Sequence, residues 1–387
     1  MDRISEYDLV QQSKEQFKLT FGYQGKICSV AQGRINIIGE HTDYNFGLAM
    51  PIGINRWICS VISKRDDNKV NIHSSNYKKQ INTCLSDLKY EESWEKYIIG
   101  CIYVVKEKFN LNEGFDLLVS GNVPIGFGMS SSAALEVSIL SALLSIYNFK
   151  LDFSLILELS NVVENSYLNI NSGLLDQYAA IFSKKHSPLI VDFSNLKHSY
   201  VNMNINNACW ILINSMVNRE LVSSKYNKRV NECKQGLNKI NTHLNTNKNM
   251  NELECSDLKY LSNEKVLHNR LSHVISENKR VLLMREYLDK GDLNEIGSIL
   301  NMSHDSLSNL YNVSCNEIEN IILLSKKQQG FYGGRIMGGG FGGCTLNLID
   351  SSKKDSFING IISSFYSKYK YELKIELVYF SDGVQLY

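Results

Sequence analysis

The stretch from Pro124 to Ala134, PIGFGMSSSAA, constrains this chain more than any other. Gly126 and Gly128 leave backbone N–H groups uncovered by any Cβ. Three serines, Ser130, Ser131 and Ser132, then lead into LEVSILSALLSIYNF, whose apolar spacing suits a helix. A helix N-terminus offers about half a positive charge and unpaired amides, so a polyphosphate docked there needs no ring of lysines. The serine hydroxyls add donors and one oxygen ligand for Mg²⁺. A Gly/Ser turn that only caps a helix is the ordinary alternative. A proline, two spaced glycines and a serine triplet followed by Ala133 form a more specific combination than a cap requires. The segment is not a Walker A loop, because G-x-x-x-x-G-K-[ST] occurs nowhere in the chain.

Further stretches are dense in chemistry. GRINIIGEHTDYNFGLAMPIGI, residues 33 to 54, reads as a short strand, a tight polar loop and a return to extended chain. Arg34, Glu40, His41 and Asp43 lie close together there, an alternation of donors and acceptors that a polyhydroxylated ligand needs. A solvated turn with a surface ion pair is the plain alternative; a metal site from Glu40, His41 and Asp43 is disfavoured, since adjacent side chains rarely converge on one ion. In LDFSLILELSNVVENSYLNINSGLLDQYAA the spacing of Leu155, Leu159 and Val163 predicts a helix with Glu164 near its C-terminal end. Ser172 and Gly173 break it, and a new helix opens on Leu174 with Asp176 in its first turn, a position where a carboxylate often serves only as a cap or dipole partner. GGGFGG near the chain's end is formally G-x-G-x-x-G, but a helix precedes it and a strand, Cys344 to Ile349, follows, which is the wrong order for a dinucleotide fingerprint. Crowded glycines there allow a close approach of backbones or ligand. Cys344 reads as a small buried hydrophobe.

With 387 residues the chain has room for two packed domains, and we place their boundary near Asn195, giving 1–195 and 196–387. A net charge of +1 gives no sign of a nucleic-acid partner. The start, MDRISEYDLVQQSKEQFK, suits an amphipathic helix rather than a signal peptide, and no run reaches the roughly 18 apolar residues of a membrane span. Nine cysteines without a C-x-x-C pair read as reduced thiols. A cytoplasmic protein without membrane association is therefore expected. Residues 56 to 90 predict two strands joined by a turn at Asp66 to Asn68, and the Asn- and Lys-rich stretch 235–265 reads as solvated surface. The helices around RLSHVISENKRV and KGDLNEIGSILNMSHDSLSNLYNVS read as packing.

The serine-rich loop resembles the phosphate loop of the GHMP kinases. The segment from Gly33 to Asn45 is similar, nearly residue for residue, to the signature of the galactokinase family within them. The resemblance implies an α+β, two-lobed GHMP kinase fold, with an N-terminal mixed α/β lobe carrying the phosphate loop and a C-terminal ferredoxin-like α+β lobe. It implies ATP-dependent phosphorylation of galactose at its anomeric hydroxyl, with ATP and Mg²⁺, in a chain that works as a monomer on small molecules. By the same resemblance Asp176 and Arg34 are catalytic, and Arg34, Glu40, His41, Asp43, Gly173, Asp176 and Tyr226 bind the sugar. The nucleotide falls to Trp94, Pro124, Gly126, Gly128, Ser130, Ser131, Ser132 and Ala133, and the metal to Ser132 and Glu164. For Trp94 and Tyr226 ordinary packing in a helix stripe is the alternative. The chain departs from the family after Asn45, at Phe46 and GLAMPIGI, around Asp176, where Ser172 and Leu175 stand for Cys and Met, and near Asn309, where the usual acidic residue is missing. A kinase for N-acetylgalactosamine or arabinose, or a sugar-sensing relative without catalysis, are the rival readings.

Overall fold

A computed structural model describes residues 4–90, 94–124, 126–170, 172–217 and 222–387. Ser5 opens α1 (Glu6–Phe21) with a capping box. Its hydroxyl accepts from the Asp8 N–H at 3.1 Å, the Asp8 carboxylate accepts from Ser5 in return, and left-handed Gly22 closes the helix. There follow β1 (Ile27–Asn36), β2 (Leu48–Ala49), β3 (Pro51–Lys64), β4 (Lys69–Ser74), β5 (Lys79–Cys84), α2 (Glu95–Phe109), β6 (Phe115–Gly121), α3 (Ser131–Ile146), α4 (Phe153–Val162) and α5 (Leu175–Phe182). A hairpin of β7 (Leu189–Asp192) and β8 (Lys197–Tyr200) ends this half; β7 also pairs with β2, and Asn195 falls in the hairpin's turn.

The main sheet runs β1-β3-β6-β4-β5. The turn at Asp66 to Asn68 does join β3 to β4, but the two do not pair: β6 lies between them, antiparallel to β3 and parallel to β4. FDLLVSG is buried along nearly its whole length, and such a strand takes the centre of a sheet. The unexpected third strand, KQINTC, is half exposed and forms the edge. One face of the sheet is covered by α1, through Leu9, Val10 and Phe17. On the other face α3 packs against β1, β3, α2, α4 and α5. This explains why α3 is apolar almost all round rather than along one stripe.

The second half contains β9 (Ala208–Asn214), α6 (Val222–Leu244), α7 (Lys265–Lys290), α8 (Leu293–Ser306), α9 (Asn316–Ser325), β10 (Phe331–Met337), β11 (Cys344–Asp350), α10 (Lys354–Tyr369) and β12 (Lys374–Leu377). Its sheet, β10-β11-β9-β12, is antiparallel throughout and has the strand order of a ferredoxin-like layer. Alternation along β9 divides the hydrophobic work. Ile211 and Ile213 meet Phe357, Ile361 and Phe365 of α10, while Trp210 and Leu212 join a core shared with Ile35, Ile37 and Ile52 of the first half. The last strand, β13 (Gln385–Leu386), returns to pair with β1 as the sixth strand of the main sheet.

Two expectations are corrected. The stretch 235–265 is not all solvated surface: Ile240, Met250, Leu253, Leu258 and Leu261 are buried against α7 in a third core, which its Asn and Lys content obscured. The glycine run near the end follows a strand, β10, as well as preceding one, so it is a strand-to-strand connection. Among the described residues no helix is long and apolar enough to cross a membrane.

Candidate active site

Arg34, on β1, ties three segments together. Its N–H donates to the Met129 carbonyl at 3.0 Å and its guanidinium to the Gly128 carbonyl at 2.6 Å, so the serine-rich loop is fastened to the strand. The same guanidinium forms a two-pronged ion pair with Asp176 Oδ1, at 2.7 Å from Nε and 2.5 Å from the second nitrogen. The other oxygen of Asp176 accepts the Ser130 hydroxyl at 2.5 Å. Gly126 and Gly128 take the left-handed φ values of 86° and 67° that their lack of Cβ permits. Ser130 is left-handed too, at φ 59°, and as N-cap of α3 it makes no side-chain cap. Its hydroxyl is thus committed to Asp176, while the first-turn amides of α3 keep no side-chain cap.

Two cavities meet beside this loop. One, of about 490 Å³, is lined by Arg34, Glu40, His41, Asp43, Glu164, Gly173, Asp176 and Tyr226 among others. The second, of about 330 Å³, is lined by apolar side chains, by Ser131 and Ser132, and by Trp94 stacked on Tyr77 at 4.4 Å and 8°. Lys96 and Tyr97 line both. Pro124, Gly126, Gly128 and Ala133 belong to the loop and helix start between them. A larger hollow of about 970 Å³ beside Trp210 and Lys354 contains none of the expected site residues.

The polar loop after β1 is held by charges from the other half of the chain. Glu40 Oε1 accepts from Arg335 at 3.1 and 3.2 Å and from the Gly338 N–H at 2.8 Å. Arg335 is fully buried and also donates to the carbonyls of Asn36, Ile37 and Ile336. On α7, Glu277 accepts the N–H groups of Gly39 and Glu40 at 3.1 and 3.3 Å and pairs with Arg280 at 2.7 Å. Burial alone would push Glu277 up, but the charges of Arg280, His273 and Arg335 hold its carboxyl down at about 2. His273 meets the Glu40 carbonyl at 3.1 Å, and burial lowers its imidazole to about 4.

His41 adopts a left-handed φ of 62° and sits among Tyr44, Tyr226 and Tyr311. Its Nδ1 bonds the Tyr44 hydroxyl at 2.8 Å, which bonds Tyr311 in turn. Burial drops His41 to about 3, and its Nε2 is buried without a hydrogen-bond partner among the described residues. Asp43 is pushed up to about 7, by burial first and by the charge of Asp176 second. Its carboxylate lies against Gly173 so closely that a Cβ there would overlap it.

Glu164 stands in a π-helical turn (Val163–Tyr167) directly after α4, and its carboxylate accepts the Ser172 hydroxyl. Among the described residues no group of three His, Cys, Asp or Glu side chains could hold a metal by itself. One carboxylate and one hydroxyl, Glu164 and Ser132, are nevertheless the donor type and number that Mg²⁺ takes when phosphate oxygens and waters complete its shell. The sequence reading missed Arg335, Glu277, His273 and Tyr311. A usable signal was present: Arg270, His273, Glu277 and Arg280 recur three or four residues apart beside the apolar stripe of α7, and polar groups so placed are bound to partners.

Comparison with known proteins gives a consistent result. The galactokinase galactose-binding signature matches residues 15–64, the GHMP kinases N terminal domain residues 96–184 and the GHMP kinases C terminal model residues 284–368. Galactokinase of Ligilactobacillus salivarius is 33% identical over 96% of this chain and 98% of its own, and galactokinase of Clostridium tetani 36% over 92% of each. The crystal structure of Lactococcus lactis galactokinase complexed with galactose superposes with a TM-score of 0.91 at 29% identity, covering 97% of this chain and 99% of that one. A crystal structure of mevalonate kinase, at 17% identity and a TM-score of 0.67 over 92% of this chain and 99% of its own, shares the fold. From its first strand to its last helix, this chain belongs to the galactokinase family of the GHMP kinases.

Proposed function

We propose that the chain transfers the terminal phosphoryl group of ATP to the anomeric hydroxyl of D-galactose, giving galactose 1-phosphate and ADP. The observation that carries this reading is the placement of Asp176. Its carboxylate is gripped by Arg34, which also holds the loop at the uncapped start of α3, and it faces a polar cavity of about 490 Å³. Galactose binds in that cavity, with Glu40, Asp43 and the unpartnered Nε2 of His41 bonding its hydroxyls and Tyr226 and Gly173 shaping the wall. The base of ATP lies in the smaller cavity against Trp94, and the phosphates follow the amides of residues 126 to 133.

Phosphoryl transfer asks the protein for position and charge more than for covalent chemistry. The anomeric hydroxyl takes the place of the Ser130 hydroxyl on Asp176, which aims it at the phosphorus and receives its proton late in the transfer. Arg34 faces the negative charge that develops between the two. Ser132 and Glu164 would hold Mg²⁺, which when bound neutralises phosphate charge. ADP release measured over a panel of free monosaccharides tests the proposal: galactose should be turned over most efficiently, and a preference for N-acetylgalactosamine or arabinose, or no turnover of any sugar, would overturn it.

A further inference from the structure

We infer that Lys96 binds the terminal phosphates of the nucleotide, an assignment that rests on the reading of the site as a kinase's. Lys96 is the second residue of α2, where the helix's own field disfavours a cation. Its neighbour Glu95 is buried and paired with Lys79 at 2.9 Å, so that carboxylate already has its cation. Among the described residues the Lys96 ammonium has no carboxylate partner, and it lies 5.4 Å from the centroid of the Tyr97 ring. A half-buried cation at the wrong end of a helix, without a carboxylate partner among the described residues, lowers stability, and a ligand's charge would compensate it.

Position supplies the ligand. Among the described residues, Arg34 and Lys96 are the basic side chains that line either cavity, and Arg34 is spent on Asp176 and the Gly128 carbonyl. Lys96 lines both cavities. A phosphate chain that starts beside Trp94 and ends at Asp176 must cross the neck that Lys96 shares with Tyr97. A flexible four-carbon stem with a point charge suits a group whose oxygens move during reaction. In the transfer, the bond from the terminal phosphorus to the bridging oxygen breaks, its electron pair leaves with ADP, and the anomeric oxygen bonds the phosphorus. The hydroxyl proton goes to Asp176, and Lys96 keeps its own protons and contributes charge alone.

The test needs no sugar. Affinities of wild type, Lys96→Met and Lys96→Arg for adenosine, ADP and a non-hydrolysable ATP analogue, each with Mg²⁺, are measured by titration calorimetry. The methionine variant should bind the ATP analogue roughly 10- to 100-fold more weakly, ADP less affected and adenosine within about twofold, with the arginine variant recovering most of the loss. Equal loss for all three ligands would show a merely structural residue, and undiminished affinity for the triphosphate would refute the contact. Wild type that binds the ATP analogue but phosphorylates no sugar would sink the galactose reading and leave Lys96 standing; wild type that ignores the analogue would sink both.

Discussion

The cavity beside Trp94 and the cavity beside Asp176 share Lys96 and Tyr97 yet are walled differently. The first is made from one half of the chain, by Ile58, Val119, Val123 and Leu135 around a stacked Trp94 and Tyr77. The second joins both halves, and two of its carboxylates are held by opposite charges: Asp176 by Arg34, and Glu40 by Arg335, with Glu277 and Arg280 behind. Apolar walls lose contact area gradually when a side chain is trimmed. Buried ion pairs fail abruptly, because removing one partner strands the other. Precision therefore resides on the Asp176 side, and tolerance on the Trp94 side.

The largest effect expected from this contrast is on chemistry. Asp176→Asn should cut turnover by roughly 10² to 10⁴ while affinity for a non-hydrolysable ATP analogue stays put; a coupled ADP-release assay reads it, and near-normal turnover would end the assignment. Next comes the charge network. Arg335→Met strands Glu40 and should lower unfolding free energy by about 3–5 kcal/mol in denaturant titrations, whereas a loss near zero would mean that the pair is not what holds the loop.

A subtler distinction lies in pH. With its carboxyl at about 7, Asp43 ionises as the pH rises through neutrality, and a carboxyl one unit below its pKa is only about a tenth ionised. The KM for galactose should thus be up to about tenfold higher near pH 6 than near pH 8, and the dependence should vanish in Asp43→Asn. Since the unfolded chain ionises this group near 3.8, the folded state binds the extra proton between about 4 and 7, and stability falls as pH rises across that window. The smallest effect belongs to the tolerant side: Trp94→Ala should raise the KM for ATP only about 2- to 10-fold, the worth of one aromatic stack, and leave the KM for galactose alone. A larger loss there than at Asp43 would invert the comparison.

The same contrast decides what could be read from sequence. The serine-rich loop, the polar loop after β1 and the first turn of α5 are contiguous, so their residues announce themselves by spacing. The ferredoxin-like layer was legible as a family resemblance, with β11 readable as a strand after the glycine run. What holds Glu40 was not legible, because Arg335 and Glu277 lie 295 and 237 positions away and meet it only through the tertiary fold. The Ser130 hydroxyl was expected to face phosphate; its bond to Asp176 depends on a left-handed backbone that serine rarely adopts. The turn at Asp66 to Asn68 was legible, whereas the insertion of the deeply buried β6 between β3 and β4 was not, because it comes from a later stretch of the chain.

The pairing of β13 with β1 has a consequence for how the molecule comes into being. Cys28 and Tyr387 exchange hydrogen bonds in both directions, at 3.0 and 2.8 Å, so the strand that carries Arg34 gains its outer neighbour from residues translated long after it. On the ribosome that strand waits with a bare rim, open to any stray segment, while hundreds of later residues are still being joined. The strand that carries Arg34 is thus fully paired only once β13 has been made.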